Sequence, residues 1–155
     1  MKISFKIFCL VILLPLPGIS QCKVKSIVGG CKPNLNPYGY DSYAITDIDF
    51  GDHPQKLEVQ FTAFAHQKYK LVFCTSGFEE NVRMNIYDKS NRVKNRQKVY
   101  DGNDGIDNVF WSFVPPKSGD YFIEYEVPAV ANGEAKSGCV ILIVGVQLQE
   151  DAAKK

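Results

Sequence analysis

The sequence predicts an all-β protein folded as one antiparallel β-sandwich, and three observations support this prediction. Apolar and polar side chains alternate every second residue in several successive segments, which is typical of strands with one buried face. Turn-forming residues separate these segments at intervals of about ten residues. No segment has the sustained apolar spacing of an amphipathic helix. The pattern therefore indicates about seven or eight short strands in two packed sheets.

The predicted strands follow one another from the middle of the chain to its end. They lie in the segments LEVQFTAFA, YKLVFC, VRMNIY, VFWSFV, YFIEYEV and CVILIVGV. The last of these is apolar throughout, so we expect a central strand that is buried on both faces. An earlier segment, TDIDF, places Asp47 and Asp49 on one face and Ile48 and Phe50 on the other. That arrangement is typical of a solvent-facing edge strand.

Residues 1–20 are predicted to be a secretory signal peptide. Lys2 and Lys6 give a positive start, Ile7–Leu14 is an unbroken apolar run, and small residues flank a cleavage point after Ser20. The apolar run is shorter than the roughly 20 residues that span a bilayer, so we expect no transmembrane helix. The mature protein is then expected in the periplasm or outside the cell.

Removal of the signal peptide sets the size and charge of the mature protein. It leaves 135 of the 155 residues, which suits one domain with one core. Two of the 18 basic residues are removed, so 16 bases face 17 acids and the formal net charge is −1. A domain without a basic excess is not expected to bind nucleic acid. We predict an irregular segment pinned by disulfides at residues 21–42, the sandwich at residues 43–149 and a flexible tail at residues 150–155.

Four cysteines remain in the mature chain, and an even number in an exported protein predicts two disulfides. Three pairings are possible. We favour Cys74–Cys139, because each of these residues lies at the end of an apolar strand-like run, and Cys22–Cys31 would then close a small loop. A further alternative is a lipoprotein, with the lipid on Cys22 directly after the signal peptide. That signal requires a small residue before the cysteine, and Gln21 stands there.

Two stretches of the sequence resemble the bacterial pre-peptidase C-terminal domains. YKLVFCTSGFEENVRMNIYDKSNRV, residues 69–93, is followed by FWSFVPPKSGDYFIEYEV, residues 110–127. Ser118–Tyr121 matches the Ser-Gly-x-Tyr turn with which that family enters a strand, and Asn85–Asp88 lies where the family has a hairpin. Golgi-dynamics domains are similar in the same region.

The resemblance covers residues 57–146 and implies a more specific fold and role. The fold is a jelly-roll-like antiparallel β-sandwich of about seven to nine strands. The role is non-catalytic, through binding or through assistance in export. We expect this chain to differ from the family in having no protease domain beside the sandwich.

The segment DGNDGIDN, residues 101–108, is the candidate metal site of the sequence. Its carboxylates and amides are the oxygen ligands that calcium prefers. The candidate ligands are Asp101, Asn103, Asp104 and Asp107. The spacing differs from an EF-hand loop, because Gly105 stands where an oxygen ligand belongs. The alternative is a polar connection between two strands, which uses the same residue types. Calcium is the only cofactor that the sequence suggests, and the predicted fold requires none.

A row of positive side chains marks the segment NRVKNRQKVY. Arg92, Lys94, Arg96 and Lys98 recur at every second residue, so a strand would project all four from one face. Such a row would dock an anionic partner, for example an acidic glycan, a lipid phosphate or a carboxylate-rich protein surface. The alternative is that positive charge protects an edge strand from pairing with its neighbours.

Three tyrosines, Tyr38, Tyr40 and Tyr43, cluster in PYGYDSYAITD and form another candidate binding surface. Stacked tyrosines offer a platform for sugars; alternatively, they close one end of a sandwich with their hydroxyl groups in water.

Catalysis has little support, since neither His53 nor His66 lies in a hydrolase motif and the cysteines are assigned to disulfides. We therefore predict a protein without enzymatic activity.

The leading hypothesis from the sequence is an exported binding or assembly module of a bacterial cell envelope. It would act through contacts with an envelope protein or with an anionic glycan or lipid surface. A calcium-dependent carbohydrate-binding module and a secreted enzyme inhibitor are the two alternatives.

Overall fold

Strands are the main secondary structure of the described part of the chain. The computed structural model describes residues 22–102, 110–130 and 136–147. The elements in chain order are α1 (Val24–Cys31), a 3₁₀ helix (Lys32–Leu35), β1 (Gly39–Phe50), β2 (Gln55–Ala63), β3 (Tyr69–Ser76), β4 (Arg83–Tyr87), β5 (Lys98–Gly102), β6 (Phe110–Phe113), β7 (Gly119–Val127) and β8 (Lys136–Val146). Within these ranges, no helix is long and apolar enough to cross a membrane.

The eight strands form two antiparallel sheets of four strands each. Sheet A has the order β1–β8–β3–β6, and sheet B has the order β2–β7–β4–β5. Among the strands of the described residues, only β4 and β5 are both consecutive in the chain and hydrogen-bonded neighbours in a sheet. All other pairs are reached by crossing between the sheets, which is the connectivity of a jelly roll. The predicted all-β, jelly-roll-like sandwich is therefore confirmed, with eight strands in the described ranges.

The main hydrophobic core lies between the two sheets. Alternate side chains of the central strands β7 and β8 face it, and Ile123, Tyr125 and Leu142 are almost completely buried there. At one end the core continues as an aromatic group, in which the rings of Trp111 and Phe113 stack with centroids 4.2 Å apart. Because every second residue of each strand enters this core, the two-residue alternation of the sequence predicted most strands correctly.

An N-terminal arm, residues 22–38, covers the outer face of sheet A. Val24, Ile27 and Val28 of α1 recur at helical spacing and pack on a second core cluster that contains Ile141 and Ile143 of β8. This second core explains why β8 is buried on both faces, as the sequence predicted. The prediction of an irregular segment at 21–42 is wrong here, because the arm contains α1 and the 3₁₀ helix.

The short length of α1 explains why the sequence did not reveal it. The apolar repeat of α1 is only eight residues long and no side chain caps its first turn, so tertiary packing supplies most of its stability. The predicted start of the sandwich at residue 43 also differs from the structure, because β1 begins at Gly39. The arm approaches β8 closely at Gly145, where an added Cβ would lie 2.7 Å from Leu35 Cδ2.

Both disulfides connect the arm to sheet A. Cys22 pairs with Cys139, and Cys31 pairs with Cys74, with Cα–Cα distances of 6.2 and 6.5 Å. The favoured pairing of Cys74 with Cys139 is therefore wrong. Both residues lie on the outer face of neighbouring strands and each faces the arm, which supplies its partner. The lipoprotein alternative is also incompatible with this structure, because the Cys22 thiol is used in a disulfide.

Candidate functional site

The predicted row of positive charge does not lie on a strand. Residues 88–97 are turns and bends over the outer face of sheet B, and β5 begins only at Lys98. Arg92 and Lys94 are exposed on this turn, whereas Arg96 reaches the sheet. The strand prediction fails because Asp, Asn and Ser in this segment favour turns. The alternative explanation of the row is closer to the structure, because β5 is an edge strand.

Under this turn lies a charged cluster on sheet B, consisting of Lys56, Glu58, Arg96, Glu124 and Glu126. Glu124 is at its centre, with a side chain that is only 1% exposed. Arg96 Nη2 donates to Glu124 Oε2 at 2.6 Å, and Lys56 Nζ donates to Glu124 Oε1 at 3.0 Å. Lys56 Nζ also donates to Glu126 Oε1 at 2.9 Å. The buried carboxylate therefore has a positively charged partner at each oxygen.

The strand register explains why these side chains meet. Lys56 stands opposite Glu126, and Glu58 stands opposite Glu124, on the outer face of the β2–β7 pair. The turn over them is held by Ser90 Oγ, which donates to Glu58 Oε1 at 2.9 Å. The alternation in YFIEYEV places Glu124 on the strand face opposite Tyr125, and in the structure Tyr125 enters the core while Glu124 lies on the outer face. The alternation gave no sign of the turn that buries this face, since that turn is joined to the sheet by tertiary contacts.

The pKa values in the charged cluster follow from burial and hydrogen bonding. Burial acts to raise the pKa of the Glu124 carboxyl, but the hydrogen bonds from Arg96 and Lys56 outweigh it, and this pKa lies below its usual value. Hydrogen bonds to Glu126 and then to Glu124 raise the pKa of Lys56. Glu124 and Lys56 are therefore ionised at neutral pH, and the charges of the cluster are directed at one another. Its role is to fix the turn on the sheet.

β1 is the longest of the four edge strands among the described residues; the others are β2, β5 and β6. β1 has 12 residues and pairs with β8 on one side only, so it forms an edge of sheet A. Its second edge has no strand partner in the described ranges. The side chain of Gln55 donates to the Asp49 carbonyl and occupies one acceptor near the end of the strand. Alternate N–H and C=O groups of the preceding residues are available for a further strand.

The side chains of β1 add apolar contacts and negative charge to this edge. Tyr43 and Ile45 are 47% and 42% exposed and share one face of the strand. Asp41, Asp47 and Asp49 are also exposed, and they are the only charged residues of β1. The predicted solvent-facing edge at Asp47 and Asp49 is confirmed, because Ile48 and Phe50 on the other face of the strand are buried.

The structure separates the three tyrosines of the predicted platform. Tyr38 is half-buried and its ring centroid lies 5.9 Å from Lys70 Nζ. Tyr40 is 42% exposed, with Lys32 Nζ 4.6 Å from its ring centroid. Tyr43 lies beyond a register irregularity of β1. In the described structure the three rings form no stacked pair, so the platform lacks the expected geometry.

The calcium site predicted at residues 101–108 lies mostly outside the described residues, because residues 103–109 are not among them. Asp101 is near the end of β5, where Lys98 Nζ approaches its Oδ2 to 3.3 Å. Elsewhere in the described ranges, no group of three His, Cys, Asp or Glu side chains is arranged to hold a metal ion. The calcium ligands Asn103, Asp104 and Asp107 stay a prediction from the sequence.

The fold and the exposed surfaces define a disulfide-linked jelly roll with a long open edge at β1. No protein-family model matches this chain, and no curated protein matches its sequence. Among solved structures, the chain is similar to the Aeromonas hydrophila PliG, a periplasmic lysozyme inhibitor of g-type lysozyme. The identity is 18%, the match covers 68% of this chain and 86% of that chain, and the TM-score is 0.41.

The corresponding inhibitor PliG of Salmonella Typhimurium is also similar. Its identity is 13%, with 70% of this chain and 93% of that chain covered and a TM-score of 0.38. We transfer neither protein's activity to this chain. The resemblance to the pre-peptidase domains likewise stays a prediction, although its Ser118–Tyr121 turn does lead into β7.

Proposed function

We propose that this protein is an exported, non-catalytic protein-binding module that captures an extended, basic segment of a partner along β1. The open edge of β1 is the observation that supports this function. Addition of a strand to a free sheet edge gives affinity through main-chain hydrogen bonds and specificity through alternate side chains. The signal peptide predicted at residues 1–20 supports export. Among the partners expected from the sequence, the proposal therefore favours a protein over a glycan or a lipid surface.

The charge of β1 supports a basic partner. Asp41, Asp47 and Asp49 give the strand three negative charges and no positive one. Opposite charges that face each other across two antiparallel strands contribute about 0.2–1 kcal/mol per pair, and like charges are destabilising. Tyr43 and Ile45 lie on the same face of β1 as Asp47 and Asp49, so they would cover the aliphatic stems of the basic side chains. Apolar side chains at the alternate positions of the partner would lie on the other face, beside Ile48 and Phe50. A strand that alternates basic and apolar residues fits this edge.

The same charges disfavour the pairing of β1 with a second copy of itself. In an antiparallel pair of identical strands, no register can place a basic residue opposite Asp41, Asp47 or Asp49, because β1 contains none. Charged side chains are a common protection of edge strands against such self-association. The acidic side chains therefore select against a second copy and in favour of a basic partner.

The inhibitor alternative is one form of this proposal, in which the captured partner is an enzyme. The basic turn at Arg92 and Lys94 is not part of the proposed docking surface, since it belongs to the opposite sheet. For the calcium-dependent carbohydrate-binding alternative, no observation on the described residues adds support.

A pair of synthetic peptides tests the docking mode directly. One is a peptide of about ten residues that alternates Lys and Val, and the other alternates Glu and Val; both match a strand of ordinary length. Hydrogen exchange of the mature protein is measured with and without each peptide. We expect the Lys–Val peptide to slow amide exchange selectively within β1, and the Glu–Val peptide to have no effect. Equal protection by both peptides, or protection confined to other strands, would refute the proposal.

Matched charge reversals test the role of the acidic side chains. The double variant Asp47→Lys/Asp49→Lys changes two exposed positions of β1. The control variant Glu79→Lys/Asp120→Lys makes the same change in net charge at two exposed positions outside it. Only the first variant is expected to lose its binding of the Lys–Val peptide. If both variants lose it equally, the interaction depends on net charge and not on β1.

The natural partner is sought with the same pair of variants. Cross-linking of the tagged mature protein in its native envelope is compared between wild type, the β1 variant and the control variant. A partner that only the β1 variant loses supports the proposal. Enzyme activities, with g-type lysozyme as one member of the panel, are then measured with each variant. Inhibition that is lost only in the β1 variant would identify the inhibitor form of the function.

A further inference from the structure

A cavity of about 550 Å³ opens on sheet B, where β2 and β4 begin and β7 ends. Its volume lies within the range of small-ligand pockets, about 300–1,000 Å³. The side chains that define its chemistry are Pro54, Lys56, Asn81, Arg83, Glu126 and Pro128. The two prolines provide apolar walls, and the other four residues provide charges and hydrogen-bonding groups. Apolar walls with a few convergent polar groups are typical of a ligand site.

The strand register brings two basic residues to this cavity. Lys56 of β2 and Arg83 of β4 both stand opposite Glu126 of β7. Lys56 Nζ already donates to Glu126 Oε1 at 2.9 Å. The side chain of Arg83, in contrast, makes no hydrogen bond and no ion pair with any other residue that the structure describes. Its five N–H donors are therefore available to a ligand.

The chemistry of Arg83 indicates what the ligand carries. A guanidinium presents a planar pair of N–H donors that matches a carboxylate in a bidentate contact, and this contact is stronger than a neutral hydrogen bond. Glu126 has a second oxygen that can accept a hydrogen bond from a hydroxyl or amide of the same ligand. Asn81 can donate as well as accept.

We propose that this cavity binds a carboxylate-bearing small ligand, with Arg83 as the residue that holds the carboxylate. Such a carboxylate is found on acidic sugars and at the C-terminus of peptides. None of the residues that line the cavity belongs to β1. The inference is therefore independent of the partner proposed for that strand, and each can fail without the other.

Two pairs of probes distinguish the sources of the carboxylate. Glucuronic acid is compared with glucose, and acetyl-Ala-Ala with a free carboxylate is compared with its C-terminal amide. Each probe is titrated up to about 10 mM, a range that covers weak single-site binding. Binding is followed by NMR shifts of the ¹⁵N-labelled mature protein at Arg83 and Glu126. We expect at least one acid to shift these signals and its neutral counterpart not to do so.

A matched pair of arginine variants tests the assigned residue. Arg83→Gln removes the proposed anchor, whereas Arg92→Gln makes the same substitution on the exposed turn. We expect Arg83→Gln to weaken binding by about tenfold to a hundredfold, because this factor corresponds to the loss of a hydrogen bond to a charged group. Arg92→Gln is expected to leave binding unchanged. Thermal melts of both variants check that the fold is retained.

The outcomes separate clearly. Binding of glucuronic acid alone assigns an acidic sugar, binding of the peptide acid alone assigns a C-terminus, and binding of both assigns the carboxylate itself. Each of these supports the proposal if Arg83→Gln weakens it. The proposal is overturned if neither acid shifts the cavity signals, if the neutral probes bind equally, or if Arg83→Gln binds as well as wild type.

Discussion

Replacement of Arg96 by alanine is the sharpest test of how the turn at residues 88–97 is held on sheet B. Its guanidinium donates to the buried Glu124 carboxylate at 2.6 Å. A hydrogen bond to a charged group contributes about 1.5–3 kcal/mol. Arg96 Cζ also lies 3.7 Å from the ring centroid of Tyr87, and such a cation–π contact adds about 1 kcal/mol.

The remaining partner of Glu124 limits the loss. Lys56 keeps its bond to Glu124 Oε1, so the carboxylate is not left alone when Arg96 is removed. We therefore expect Arg96→Ala to lower the free energy of unfolding by about 3 kcal/mol, at the lower end of the range for a broken buried ion pair. Lys98→Ala is the matched control. Its pair with Asp101 is partly exposed, and its loss is expected to be within about 1 kcal/mol.

The pH dependence of this effect follows from the direction of the pKa shift. The pKa of Glu124 in the folded protein lies below the ordinary value of 4.5, so the unfolded chain binds more protons in that interval. The stabilisation by Glu124 is thus fully present above pH 4.5 and is lost as the pH falls through the folded pKa. The difference between wild type and Arg96→Ala should shrink in the same acidic window.

Denaturant unfolding at neutral and acidic pH measures both effects. A loss for Arg96→Ala no larger than that for Lys98→Ala would refute the assignment of Arg96 to the buried pair. The assignment would also be refuted if the loss of unfolding free energy in Arg96→Ala stayed constant down to the most acidic pH at which the protein folds. The double variant Arg96→Met/Glu124→Met provides a further check. Because it removes both members of the pair, it should be less destabilised than Arg96→Ala alone.

Three further predictions concern the fold. Removal of the disulfide in the Cys31→Ser/Cys74→Ser variant, which opens a loop of 43 residues in sequence, should lower the free energy of unfolding by about 4 kcal/mol in urea titrations. Gly102→Ala should destabilise by about 2 kcal/mol or more and lower the melting temperature, since an added Cβ would lie 2.1 Å from the Met84 carbonyl oxygen. Leu142→Ala opens a cavity between the sheets and should lower the free energy of unfolding in urea titrations by about 2–5 kcal/mol.

The strands were predictable because their signal is local. Each strand of a sandwich turns every second residue into the core, so the alternation in YFIEYEV or LEVQFTAFA is sufficient to locate it. The apolar run of β8 indicated burial on both faces for the same reason. The covering layer was not predictable, because α1 has only three apolar residues at helical spacing and two adjacent glycines. A helix of that length is stabilised mainly by what it packs on.

The remaining errors share one physical cause. Cysteine pairing depends on which faces of the fold meet, and the ends of two apolar runs carry no information about a third segment that lies over them. Likewise, positive charges at every second residue indicate a strand only where the intervening side chains are apolar. In this segment Asn95 and Gln97 stand between them. The open edge of β1 follows from strand order, which no local pattern encodes.

The arrangement of the disulfides bears on how β1 could bind a partner. β1 hydrogen-bonds to β8, and β8 in turn to β3, and both disulfides end on these two supporting strands. Capture of an extended segment requires the receiving edge to keep its register, and any ordering of that edge on binding would reduce the affinity. Cross-links that hold the adjacent strands under the arm lower this penalty without touching the partner. The arm and its disulfides thus act on the proposed function through the rigidity of sheet A, while the acidic side chains of β1 act through the choice of partner.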